Sequence, residues 1–341
     1  MLNKIHNINC ITGMKDLEDN SIDCCITSPP YFGLRDYGSD EQIGLESTPE
    51  LFVQQLVNVF ADVKRVLKND GTLWLNLGDS YAGSGKGKSD KTMDLRNCIS
   101  GSHHNIGNKT DIFKNESYKP KDLIGVPWMV AFALRSNGWY LRQDIIWNKP
   151  NPMPESVTDR CTKSHEYIFL LSKSAKYYYD AESIKTPLKD QSVLRLSQNI
   201  LEQKGSSRVP GKTNGNMKAT KKQYDKSTAQ GGSNINGHNG SFNKNGELIG
   251  GEFANKRSVW TVTTKPFKEA HFATFPEDLI MDMIKAGCPE NGIVLDPFMG
   301  AGTTALVAKK LNRNFIGYEL NPDYIKIAEK RLFNGIGIFN D

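Results

Sequence analysis

Only 41 residues follow Gly300, and that distance limits the fold more than any other feature of the chain. Gly300 lies in Asp296-Pro297-Phe298-Met299-Gly300-Ala301-Gly302-Thr303-Thr304-Ala305, a glycine loop preceded by the apolar run Ile293-Val294-Leu295 and followed by a helical pattern over 303–311. A strand, a Gly-x-Gly loop and a helix start together make a place where backbone can approach a ligand closely, because glycine has no Cβ. Residues 315–319 read as the next strand. It ends at Glu319, where an acidic side chain accepts hydrogen bonds from both hydroxyls of a ribose. Asn321 and Pro322 then cap and start a last helix that ends near Phe333. The loop lacks the Gly-Lys-Ser/Thr of a P-loop, which argues against a triphosphate. Taken alone, it fits a dinucleotide loop or a tight structural turn. A dinucleotide fold needs several more strands after such a loop than these 41 residues hold. The other strands must come from upstream, so the sheet is expected in permuted order.

The upstream half supplies them. Ile22-Asp23-Cys24-Cys25-Ile26-Thr27 is a short apolar run stopped by two prolines and reads as a buried strand. Thr48 is an N-cap, Pro49 suits the first helical position, and Phe52, Leu56, Val59, Phe60, Val63, Val66 and Leu67 recur at helical spacing. Asn69-Asp70-Gly71 ends that helix and 72–77 reads as a strand, so strand–helix–strand implies a parallel pair. Further on, 123–136 is helical with Gly138 as its terminal glycine. Residues 139–147 and 167–171 are strands, and 276–286 is a helix closed by Gly287. The expected class is α/β, a mostly parallel twisted sheet with helices on both faces.

Two stretches break this pattern. Residues 78–121 are rich in Gly, Ser, Asn and Lys and are expected as a mobile loop; residues 186–256 read as an inserted segment. The expected division is therefore 1–185 and 257–341 as two parts of one domain, with 186–256 between them. Between residues 195 and 257 there are eleven Lys/Arg against four Asp/Glu. That excess of seven, taken from the net +5, leaves −2 for the rest of the chain. Such a basic segment fits either a polyanion site or a solvated insertion. The six cysteines form no C-x-x-C pair and no histidine cluster has zinc spacing, so free thiols and no metal site are expected. No apolar run reaches the length of a membrane span and the N-terminus has no signal-like run, which predicts a soluble cytoplasmic protein.

Ser28-Pro29-Pro30-Tyr31 is unusual at a strand end. Two prolines fix φ and remove amide donors, which leaves rigid outward carbonyls. Ser28 adds a hydroxyl, and Tyr31 a flat ring with a polar tip. Ser28 Oγ and the Pro29 carbonyl could accept both N–H groups of an aromatic amine and favour a pyramidal nitrogen, with Tyr31 stacked on the base. A base reaches such a pocket only when flipped from the duplex. A proline-rich turn with a packing tyrosine is the alternative for the bare tetrapeptide.

With these residues in place, the chain resembles the β class of amino-methylating DNA methyltransferases. In that class a catalytic motif precedes the target-recognition region and the cofactor loop comes last. Thr27-Ser28-Pro29-Pro30-Tyr31 is similar to the catalytic motif. The stretch from Asp296 through Phe298, Gly300, Gly302 and Thr303 to Thr304 is similar to the methionine-binding loop. His271-Phe272-Ala273-Thr274-Phe275-Pro276 is similar to a segment covering the cofactor, and Glu319 falls at the ribose position. Residues 186–256 stand in the place of the target-recognition region, and 160–173 resembles a further block. Where many relatives carry a Gly-Asp that contacts the adenine, this chain has Asn9-Cys10. The resemblance implies S-adenosylmethionine as cofactor and double-stranded DNA as substrate. It also raises a homodimer, a cognate restriction endonuclease as partner, and nucleoid association through DNA. Serine before Pro-Pro-Tyr goes with cytosine N4 in that class, whereas Asp or Asn goes with adenine N6. The competing readings are adenine N6, methylation of RNA or of a protein glutamine, a nicotinamide oxidoreductase, and a DNA-binding module without catalysis.

Overall fold

The computed structural model describes residues 1–34, 41–82, 118–189, 241–242, 248–249, 253–265 and 275–336. Most of the expected mobile loop (83–117), much of the insertion and His271 to Thr274 lie outside them. Two compact units are present. Met1–Ser183 joins Arg257–Asp341 in the first, and Ile184–Lys256 is the second.

The first unit is built on one sheet. In chain order its elements are β1 (Lys4–His6), α1 (Cys10–Met14), β2 (Ile22–Thr27), α2 (Pro49–Val66), β3 (Leu67–Leu77), α3 (Val126–Ser136), β4 (Tyr140–Asn148) and β5 (His165–Ser172). The second unit contributes β6 (Thr186–Pro187), β7 (Ser241–Phe242), β8 (Leu248–Ile249) and β9 (Phe253–Ala254). The chain returns to the first as β10 (Val259–Thr261), α4 (Glu277–Gly287), β11 (Ile293–Asp296), α5 (Thr303–Lys310), β12 (Asn314–Tyr318) and α6 (Pro322–Ile336). The sheet order is β1-β12-β11-β2-β3-β5-β4-β10, and β5 alone of its described strands runs antiparallel to its neighbours. In the second unit β6 pairs with β9 and β7 with β8, both antiparallel.

Residue type explains the layers. All six residues of β2 are buried, as expected for a central parallel strand covered on both faces. On β3, Leu73, Leu75 and Leu77 pack with α1, α2 and α3 in one core, joined there by Phe52, Phe60 and Phe169. Trp74 points to the other face, beside Gly287 of α4 and stacked with Tyr179. Thr48 caps α2 by accepting from the Leu51 N–H at 3.2 Å.

The strand expected over 72–77 begins earlier, at Leu67. The chain turns extended there and pairs Leu67 with Ile22, and a bulge restores register at Cys24 and Thr72. β1, α1 and β10 had no sequence expectation. β1 and β10 are three residues long, and α1 is a five-residue turn of helix capped by Asn9. Among the described residues no helix is long and apolar enough to cross a membrane.

The crossovers β2–α2–β3 and β11–α5–β12 leave neighbouring strands in opposite directions. The boundary between β11 and β2 is therefore a topological switch point, the place where α/β sheets open a crevice beyond their carboxyl ends. Thr27, last in β2, donates to Asp296 Oδ1, last in β11, at 2.6 Å and ties the two strand ends together.

Candidate active site

A cavity of about 520 Å³ opens at that switch point, within the range of small-molecule sites. Ser28, Pro29, Pro30 and Tyr31 line it from the end of β2, and Phe298, Gly300 and Thr303 line it from the glycine loop. Phe275 and Glu319 complete the expected set that faces the space. Residues about 270 positions apart in sequence thus line one cavity.

The remaining expected residues stand behind this surface. Asp296 is fully buried, accepts from Thr27, from Thr304 Oγ1 at 2.6 Å and from the Phe298 N–H at 3.1 Å, and so fixes the first turn of the loop. Gly302 caps α5 with φ +78°, and a Cβ there would lie 2.6 Å from Ala328 Cβ, so only glycine fits. Pro276 leads into α4. Asp296, Gly302, Thr304 and Pro276 shape the site without lining it.

Burial pushes the Asp296 carboxyl up to about 6, against the hydrogen bonds from Thr27, Thr304 and Phe298. A raised folded value means that this group stabilises the fold fully below its unfolded value of 3.8, and loses that contribution as pH rises through about 6. The shift of about two units corresponds to about 3 kcal/mol. Asp296→Asn can still accept from Thr27 and Phe298 and can donate to Thr304. It is expected to be more stable than the parent chain near pH 8 and to lose that advantage near pH 4, as read by urea melts at both values. Equal destabilisation at both would contradict the assignment.

Glu319 Oε2 accepts from the Gly300 N–H at 2.8 Å and Oε1 from the Asn321 N–H at 2.8 Å. Burial pushes its pKa above the ordinary carboxylate value, and those two N–H bonds oppose the rise. A carboxylate offers about four acceptor positions, so acceptor capacity remains on Glu319 for a hydroxyl. Ile8, Phe298, Met299 and Tyr324 supply apolar wall around it. The carboxylate fits the ribose of an adenosyl group, and the apolar wall suits the face of its base.

On the other side, polar residues the sequence had not singled out complete the niche around Ser28. Asn76 of β3 donates to Ser28 Oγ (3.3 Å), to Tyr31 Oη (2.9 Å) and to Glu166 Oε2 (2.9 Å). Its amide orientation follows from the carboxylate, since the reverse would set oxygen against oxygen. Asn76 Oδ1 is then a buried acceptor with no hydrogen-bond partner among the described residues. Tyr31 Oη donates to Glu166 Oε2 at 2.7 Å, and Lys149 pairs with Glu166 Oε1 while lying 4.3 Å from the Trp147 ring centre. Burial alone would raise the Glu166 pKa, but the Lys149 charge and the hydrogen bonds from Lys149, Tyr31 and Asn76 outweigh it and leave it below the usual value. Cys10 also lines the cavity; burial pushes its thiol up to about 12, so it is neutral and no nucleophile.

Asn76, Lys149 and Glu166 went unread because each is a single polar residue in or beside an apolar strand. The signal was present: Asn76 follows Leu73-Trp74-Leu75 and interrupts the run before Leu77, and Glu166 opens the run Tyr167-Ile168-Phe169-Leu170-Leu171.

A doubly wound sheet entered in permuted order, with a glycine loop and an acceptor niche facing each other across the switch point, is a Rossmann-like methyltransferase fold. Residues 22–330 match the N6/N4 DNA methylase family, and the chain belongs to it. It is similar to the type II methyltransferase M.Cfr9I of Citrobacter freundii, 42% identical over 324 residues and covering 95% of this chain and 85% of that one. It is likewise similar to M.SmaI of Serratia marcescens, 43% identical over 319 residues, 94% and 87% of the two chains. Among solved structures, the cytosine-N4-specific PvuII DNA methyltransferase shares the fold at TM-score 0.58 and 16% identity, over 97% of this chain and 86% of that one. A chain from Thermus thermophilus described as a DNA modification methylase, in complex with S-adenosyl-L-methionine, shares it at TM-score 0.56 and 17% identity, over 98% and 95%.

Proposed function

We propose that this DNA methyltransferase moves a methyl group from S-adenosylmethionine to the exocyclic N4 of a cytosine flipped out of double-stranded DNA, as the modification enzyme of a type II restriction–modification pair. The observation that carries the reading is that Ser28 lines the same cavity as the glycine loop and Glu319. When bound, S-adenosylmethionine supplies an electrophilic sulfonium methyl. Glu319 would hold the ribose hydroxyls and the loop carrying Phe298 and Gly300 would hold the methionine part, while Asp296 with Thr304 keeps that loop in shape.

The chemistry left to the chain is positioning. An aromatic amine is a weak nucleophile because its lone pair is shared with the ring. Ser28 Oγ and the Pro29 carbonyl accept its two N–H groups, pull the nitrogen toward a pyramidal shape and aim the lone pair for in-line displacement. Tyr31 and the prolines give the flipped base a rigid face. With the cavity cysteine neutral, direct transfer to nitrogen needs no covalent intermediate on the enzyme. The basic segment over 195–257 supplies the charge for the DNA backbone, and the inserted unit reads the target sequence. The type II names of M.Cfr9I and M.SmaI support the restriction–modification setting.

Sequencing that reports modified bases, run on DNA from cells expressing the protein, tests this. Modified cytosines confined to one short sequence context are expected; modified adenines, or modification scattered without context, would overturn the assignment.

A further inference from the structure

The cluster beside Ser28 has a direction. Ser28 Oγ donates to Tyr31 Oη at 3.4 Å, and Tyr31 Oη donates to Glu166 Oε2 at 2.7 Å. Asn76 Nδ2 donates toward all three oxygens, and Lys149 closes the far side of the carboxylate. An ionised carboxylate can only accept. The Tyr31 proton is thereby committed to Glu166, so the Tyr31 oxygen presents lone pairs, and the Ser28 proton has an acceptor waiting on that side. With one lone pair of Ser28 Oγ facing the Asn76 N–H, the other remains for a further donor.

The tyrosine cannot drift from this arrangement. Its ring lies on Gly78, where a Cβ would come within 2.5 Å of it. Glu166 reaches the cluster because β5 is antiparallel. The start of that strand therefore meets the ends of β3 and β4, with Glu166 opposite Trp147 and Tyr167 opposite Leu77.

A serine hydroxyl without such a partner rotates, and donates as readily as it accepts. Donation to the substrate amine would occupy the electron pair that must attack the methyl group. We infer that Glu166, clamped by Lys149 and Asn76, is a positioning residue that fixes the hydrogen-bond direction Ser28 to Tyr31 to Glu166 and so keeps Ser28 an acceptor for the amino group being methylated. The inference rests on the methyl-transfer reading of the same cavity. Glu166 acts only through Tyr31 and Asn76.

Steady-state kinetics of the full-length chain on unmethylated DNA, with calorimetric titration of S-adenosylmethionine, test it in Glu166→Gln, Tyr31→Phe and the double variant. Each single change is expected to lower kcat by about 10- to 150-fold, the scale of a lost hydrogen bond to a charged group, with KM for DNA and Kd for the cofactor within about twofold of the parent. The double variant should be no slower than the slower single one, because both cut the same chain. Losses that multiply in the double variant, an unchanged kcat in Tyr31→Phe, or cofactor affinity falling in step with kcat would each overturn it. Should Glu166→Gln fail to fold, Tyr31→Phe decides alone, since it leaves the contacts of Glu166 with Lys149 and Asn76 in place. The methylated base is read separately. An adenine product from the parent chain would remove the cytosine assignment, while the kcat pattern would still be measured on whichever amine is methylated.

Discussion

Ser28→Ala is expected to reduce the rate of methyl transfer by about 100- to 1000-fold, the scale seen when one preorganised polar contact to a reacting centre is removed. The serine lines the cavity, accepts an N–H from Asn76 and donates its O–H to Tyr31. Alanine removes the acceptor proposed for the amine and leaves the Asn76 amide with two of its three oxygens. The fold should be unaffected, because the side chain lies at the cavity wall and the Thr27–Asp296 bond that ties the strands stays intact. Cofactor affinity should also stay within about twofold, since the glycine loop and Glu319 are untouched. Single-turnover transfer of labelled methyl groups to unmethylated DNA checks the rate, and a value within about threefold of the parent would contradict the role given to Ser28.

Glu319→Ala should act on the other half of the site. Two hydrogen bonds from ribose hydroxyls to a carboxylate contribute about 1.5–3 kcal/mol each. Cofactor affinity is therefore expected to fall by at least about 100-fold, with kcat at saturating cofactor much less affected. The same carboxylate also holds the Gly300 and Asn321 N–H groups. Glu319→Gln keeps one acceptor oxygen and should lose only about tenfold. Titration calorimetry separates the two outcomes; an alanine variant that binds S-adenosylmethionine like the parent would show that Glu319 serves the loop alone.

The sequence and the structure agree most where meaning is local. Strand, glycine loop and helix start are adjacent in the chain, so Gly300, Gly302 and Thr303 could be placed from spelling. Ser28-Pro29-Pro30-Tyr31 could be placed from the stop that two prolines impose. The permuted order that was expected appears in the sheet, where β12 and β11 lie between β1 and β2. The niche partners were not legible. Asn76, Lys149 and Glu166 come from three strands or their ends, whose adjacency is a property of sheet order. The antiparallel turn of β5, which brings Glu166 to the reacting edge, leaves no periodic trace. Asp296 and Thr304 were found by spelling but serve differently: they are buried together and act on loop shape.

Mass spectrometry of nucleosides tests the central claim most directly. Unmethylated double-stranded DNA is treated with the protein and S-adenosylmethionine carrying a deuterated methyl group, then digested. The account predicts labelled N4-methylcytosine as the product, absent in the Ser28→Ala reaction over the same interval. Labelled N6-methyladenine or 5-methylcytosine, or label in no base at all, would contradict it.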